Sequence, residues 1–237
     1  MSLAATYRLG TRLFWSDRVN LFASVITPVG LTIGIPTLLR QVTPADNAVH
    51  VFQGLLALVL SITAFMSVTV TLTARRDRLV LKRLRASELT DWQILTGQIA
   101  GAATQSIVIV LLCTVAVRLT AGIPLPAHPV AFIVATLAGS AAMALLGAAF
   151  TALVPRAELA SVYTMPVFMI CTAATGGMGP IPLPGRLQAA LDLLPTSAAV
   201  HAIRTGELIV PLLGIAAWTA LGLVALRLWF RWEPRRS

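Results

Sequence analysis

The sequence predicts an all-α integral membrane protein with six transmembrane helices, on three observations. Hydrophobic residues fill 57% of the 237 positions and charged residues only 11%, against roughly 25% charged in a soluble domain. The mean hydropathy is +0.84, and a water-soluble fold could not cover such a core with so few polar side chains. The apolar residues fall in six runs of about 20 residues, the length that crosses a hydrocarbon core of roughly 30 Å. Finally, the basic residues sit between these runs with a strong bias to one side.

The runs cover 19–39, 51–74, 97–117, 130–154, 159–178 and 208–230, within a single transmembrane domain spanning 1–237. Every break carries helix-stopping or polar residues. These are Thr43-Pro44-Ala45-Asp46, the charged stretch 75–91, the prolines of 124–129, Pro155-Arg156, and a Gly/Pro-rich stretch after Gly176. Pro28, Pro36 and Pro166 fall inside runs and are expected to kink their helices.

Orientation follows from the cations. An N-terminus inside places 14 of the 18 Lys and Arg on the cytoplasmic side and leaves Arg40, Arg118, Arg186 and Arg204 outside. The positive-inside rule then sets both termini in the cytoplasm, with the chain multi-pass in the cell membrane. The same placement explains the net charge of +9 without nucleic acid: 17 of the 18 basic residues are Arg, set mainly between apolar runs rather than along one reading face. Cys113 and Cys171 lie inside apolar runs and read as small core residues. Arg8, Arg12, Asp17 and Arg18 interrupt the N-terminus before any apolar stretch, so no cleavable signal is expected.

Two stretches outside the runs have their own pattern. Leu3, Tyr7, Gly10 and Phe14 recur at helical spacing with Arg8 and Arg12 opposite, which suits an amphipathic N-terminal interfacial helix; a disordered tail is the alternative. Between Gly179 and Glu207, prolines stop the fifth helix. Two short, mostly apolar helices follow, expected to form an outer re-entrant hairpin.

The chemistry of enzymes is missing from this pattern. There is no H-E-x-x-H and no G-x-S-x-G, and all nine carboxylates stand in loops or at helix ends. Lys82 is the only lysine and follows Leu81, so no phosphate-cradling G-x-x-x-x-G-K-[ST] loop can form. No catalytic residue, metal or cofactor is expected, and any ATP hydrolysis belongs to another polypeptide.

The most informative segment is 75–91. Leu81, Leu84 and Leu89 run among its charges, and Thr90 with Gln93 forms a capping box that starts the third span. Such a dense basic helix either anchors to the inner leaflet or is gripped by a soluble partner.

The run Arg76-Asp77-x-x-x-x-Leu81-Lys82-Arg83-Leu84-Arg85-Ala86-Ser87, followed by Trp92-Gln93-Ile94-Leu95, resembles the first cytoplasmic loop of type-2 ABC transporter permeases. That group includes daunorubicin-resistance-type exporter membrane subunits. Leu194-Pro195-Thr196, with Ala198 to Arg204 after it, is similar to the family's second signature. The resemblance implies the membrane half of an exporter, paired with a second permease subunit (homodimer or heterodimer) and driven by a separate ATPase subunit. It places Arg76, Asp77, Lys82, Arg83, Arg85 and Glu88 on or beside a cytoplasmic coupling helix, and the pathway along spans one, two and five. Thr63, Ser67 and Thr71 make a polar stripe on the second span that faces this pathway or bonds to neighbouring helices. Ala135, Gly139 and Gly147, with Met143 between, suggest a close-packing face on the fourth. With no charge at membrane depth, an amphiphilic or hydrophobic cargo is expected, such as a drug, antibiotic or lipid-like molecule, in efflux or drug resistance. A lipid-linked glycan, or an ATP-independent carrier or membrane scaffold, are the other readings.

Overall fold

The computed structural model describes residues 25–77, 91–179 and 184–229, and all regular structure among them is helical. In chain order the helices are α1 (Thr27–Val42), α2 (Ala45–Leu60), a π-helical turn (Ser61–Met66), α3 (Ser67–Asp77) and α4 (Asp91–Ala121). There follow α5 (Pro129–Phe150), a 3₁₀ turn (Ala157–Leu159), α6 (Ala160–Ala174), α7 (Gly185–Asp192), α8 (Pro195–Thr205) and α9 (Ile209–Trp229). The expected N-terminal interfacial helix and residues 78–90 lie outside the described residues.

Five described segments are long and apolar enough to cross a membrane: Asp46–Asp77, Trp92–Ala121, Pro129–Phe150, Ala157–Ala174 and Ile209–Trp229. The first of the six expected runs begins outside the described residues, and its described part is α1. Several helices overrun their apolar runs; 51–74 becomes Asp46–Asp77 and 97–117 becomes Trp92–Ala121. A helix satisfies its own backbone, so nothing ends it where the hydrocarbon ends. Its polar flanks suit the dipole instead, with Asp46 in the first turn of α2 and Arg75 and Arg76 in the last turn of α3. Pro28 falls at the second position of α1, just after the π-helical residues Val25 and Ile26, and Pro36 and Pro166 sit inside α1 and α6.

Small residues decide how closely the helices approach, as expected where lipid supplies no hydrophobic drive between them. A Cβ on Gly139 of α5 would lie 3.1 Å from Ala199 Cβ of α8. One on Gly147 would overlap the Phe65 backbone in the π turn, and one on Gly222 of α9 would lie 3.2 Å from Leu145. The expected close-packing face of α5 thus meets α8 at Gly139 and the π turn at Gly147. The π turn sits in the middle of the most buried segment, and Thr69 Oγ1 ties it to α5 by donating to both Phe65 O and Gly147 O at 2.9 Å. π turns are rare and concentrate where a helix serves a function.

Arg75, Arg76, Arg156 and Arg227 lie at the end where the charged segment 75–91 begins, here the basic end; Arg40, Arg118, Arg204, His50 and His128 lie at the opposite end. From the opposite end, α7 and α8 form a hairpin whose tip is deep. Trp218, near the middle of α9, donates its indole N–H to Leu193 O at 2.6 Å, and Ala199 meets Gly139 midway along α5. The 11 residues of α8 rise about 16 Å at helical pitch. Gly206, at φ 78°, closes α8 in the left-handed region with its N–H on Ala202 O, a conformation that favours glycine.

Candidate functional site

The basic end is built around two adjacent residues. Arg76 is the last arginine of α3 and only 2% exposed. Its guanidinium donates to Thr151 O at 3.1 Å, Val154 O at 2.9 Å and Pro155 O at 3.1 Å. These carbonyls follow the end of α5 at Phe150, where a helix leaves its last acceptors without partners. A planar fork with five donors can serve several of them at once, and a cation is favoured at that end of the dipole.

Asp77 does the complementary work. One oxygen takes the Arg76 Nε–H at 3.3 Å, and the other accepts from the Ala157 backbone N–H at 2.6 Å. Ala157 opens the 3₁₀ turn that leads into α6, where free N–H groups welcome an anion. The Arg-Asp pair thus clamps the end of α3 to both sides of the α5–α6 turn. Nearby, Arg227 at the end of α9 stacks over Trp92 at the start of α4, 5.5 Å from the ring centroid.

At mid-depth, Thr63 is fully buried and its hydroxyl bonds Val59 O at 2.7 Å and Ser106 Oγ at 2.6 Å. Ser67 is buried, and Thr71 is half-buried. Within this chain Thr63 is engaged in binding α4, the helix-packing use of the polar stripe.

The opposite end has its own lock. Arg204 Nη2 donates to Thr175 O at 2.7 Å and to His50 O at 3.0 Å, while Thr175 Oγ1 donates to Gly54 O at 2.9 Å. Burial pushes the Arg204 guanidinium down to about 10, still a cation at neutral pH. Beneath it Gly54 and Gly177 touch backbone to backbone; a Cβ on Gly54 would lie 2.5 Å from Gly177 N.

Of the residues singled out by sequence, Arg76 and Asp77 stand together in this clamp, and Thr63, Ser67 and Thr71 lie on the same long segment. Lys82, Arg83, Arg85 and Glu88 lie outside the described residues. Sequence reasoning passed over Thr175 and treated Arg204 only as an outer charge. The signal available was an arginine beside Ala202 and Ile203 in the last turn of a short helix, which needs nearby acceptors when buried.

A bundle of membrane-length helices, tied at both ends and joined at mid-depth by hydroxyl bonds, defines a multi-pass membrane protein. The chain matches the ABC-2 type transporter family over residues 3–208 and belongs to that family. None of the curated proteins matches it. It is therefore a membrane permease of an ABC transporter, from a family whose domains are membrane transport components.

Proposed function

We propose that this permease is the six-span membrane subunit of an exporter, with both termini cytoplasmic, driven by a separate ATPase and paired with a second permease subunit. Residues 75–91 are its coupling segment, in which Lys82, Arg83, Arg85 and Glu88 engage the ATPase while Arg76 and Asp77 fix its base. The hairpin α7–α8 re-enters the outer leaflet. The cargo is an amphiphilic or hydrophobic compound moved along the face of the second span.

The observation that carries this reading is the Arg76–Asp77 clamp. A lever needs a stiff fulcrum, and the residue pair that starts the charged segment is bonded to four backbone groups of the α5–α6 turn. A pull on the segment then moves α3, α5 and α6 as one body instead of bending a loop. Simple attachment to anionic lipid would need no buried arginine at this position.

The test is Arg83→Glu with Arg85→Glu, assayed by co-purification with the ATPase and by cargo-stimulated ATP hydrolysis. Loss of a desolvated interfacial charge pair costs about 2–5 kcal/mol, whereas a surface cation near anionic lipid contributes roughly 1 kcal/mol. The double reversal should abolish ATPase binding or uncouple hydrolysis from transport. Insertion should persist, because Arg75, Arg76, Arg78 and Lys82 keep the loop positive. A correctly inserted variant that exported at the normal rate would rule the coupling assignment out.

A further inference from the structure

A cavity of about 610 Å³ lies between α5, α6, α9 and the hairpin tip, within the range of small-ligand pockets. Buried Cys171 and Pro195, beside Trp218, mark its closed end near the hairpin tip; exposed Leu153, Leu228 and Trp229 mark its mouth at the basic end. No lining residue is charged, and the one indole N–H near the closed end is already given to Leu193 O. From Trp218 to Trp229 the wall follows α9 for about three turns, roughly 16 Å at helical pitch, close to the depth of one leaflet.

We propose that this cavity holds one acyl chain of a phospholipid from the leaflet at the basic end. The chain lies along α9 with its tip at Cys171, and its phosphate rests at the mouth beside Arg156. The occupant follows from the shape and chemistry of the site. An almost wholly apolar wall offers little to a polar cargo, the cavity lies between the membrane-length helices α5, α6 and α9, and its length matches one chain of one leaflet. Leu228 and Trp229 at the mouth are 70% and 65% exposed, which leaves an apolar entrance.

Charge agrees at the mouth. Arg156 is exposed, three residues beyond Leu153, and makes no ion pair among the described residues, with Glu158 the nearest acid in sequence. Arg227 is spent elsewhere, over Trp92, on the face of α9 opposite Trp218, Ala225 and Trp229. The site is separate from the polar stripe of the second span and does not depend on the coupling assignment.

The experiment uses the full chain in nanodiscs of phosphatidylcholine and phosphatidylglycerol, doped with phosphatidylglycerol carrying a photoactivatable diazirine in mid-chain. Adducts should concentrate in peptides covering 143–153 and 218–229. Ala149→Phe with Ala225→Phe, which fills the cavity, should lower them about tenfold. Leu228→Gln, a change at an exposed mouth residue, should lower them in the same direction should the filled variant fail to fold. Arg156→Gln should remove the preference for phosphatidylglycerol over a phosphatidylcholine probe. Adducts spread equally over the outward face of α4, at Leu111, Leu112 and Val115, would overturn the proposal. So would an adduct yield unchanged in a folded, filled variant, or protection of the cavity by another segment of the chain in lipid-free detergent.

Discussion

The indole of Trp218 donates to the carbonyl of Leu193 at 2.6 Å, joining the middle of α9 to the tip of the α7–α8 hairpin. Leu193 ends α7, and at a helix end its carbonyl has no partner of its own. Trp218 supplies one from midway along α9. The bond thus fixes how far the hairpin reaches into the bundle.

The re-entrant reading makes an accessibility test possible. In a background lacking Cys113 and Cys171, cysteine at Leu193 should resist a water-soluble maleimide in intact membranes. Cysteine at Arg186, on the exposed start of α7, should react from outside. Free labelling of both positions would mean that the hairpin is a soluble loop. Trp218→Phe leaves the carbonyl unpaired and should cost about 1–3 kcal/mol of stability, read as a lower melting temperature in detergent.

Arg76 gives the sharpest stability contrast. Arg76→Ala removes a buried cation from three carbonyls and from Asp77, and should destabilise by roughly 3–5 kcal/mol. Arg76→Lys keeps the charge but loses the planar fork, so it should rescue only part of that loss. Asp77→Asn retains an acceptor for the Ala157 N–H and should be the mildest of the three. Equal melting temperatures for wild type and Arg76→Ala would show that the clamp contributes nothing.

Glycine positions separate close contact from free space. Gly54→Ala and Gly147→Ala each drive a methyl into backbone across a helix interface and should cost about 1–3 kcal/mol. Gly30→Ala meets nothing within 4 Å and should be neutral or mildly stabilising. Thermal unfolding of the three variants in one detergent gives the order; a Gly30 variant as damaged as the others would undo the packing account.

Thr63 and Ser106 form a measurable pair across the second and third long segments. A double-mutant cycle with Thr63→Val and Ser106→Ala should return a coupling of about 0.6 kcal/mol, the usual size for a hydroxyl pair in a membrane. If Thr63→Val also alters transport while the cycle shows no coupling, the polar stripe faces the pathway instead.

Topology can be checked independently. Cysteines at Ser87 and Ala127 should label from the cytoplasmic and outer faces respectively, given 14 basic residues on one side and four on the other. Labelling from the same side would refute the six-span arrangement.

The sequence by itself determined the class of structure, because a bilayer imposes a length and a polarity that residue order must obey. The five described membrane-length helices lie where apolar runs stand in the sequence; 51–74 and 97–117 extend into polar flanks, whereas 130–154 and 159–178 stop a turn short, at Phe150 and Ala174. Proline breaks marked the hairpin, and the Arg76-Asp77 run marked the charged segment that follows it. Tertiary structure alone decided what those two side chains touch. Their partners, Thr151 to Ala157, lie some 75 residues away, and they are backbone groups that any residue type would supply. The π turn at Ser61–Met66 was equally invisible, because it depends on Gly147 of α5 admitting the Phe65 backbone rather than on any local pattern. Periodicity records which solvent a helix meets. It does not record which neighbour receives each hydrogen bond, because in lipid every partner must be another part of the protein.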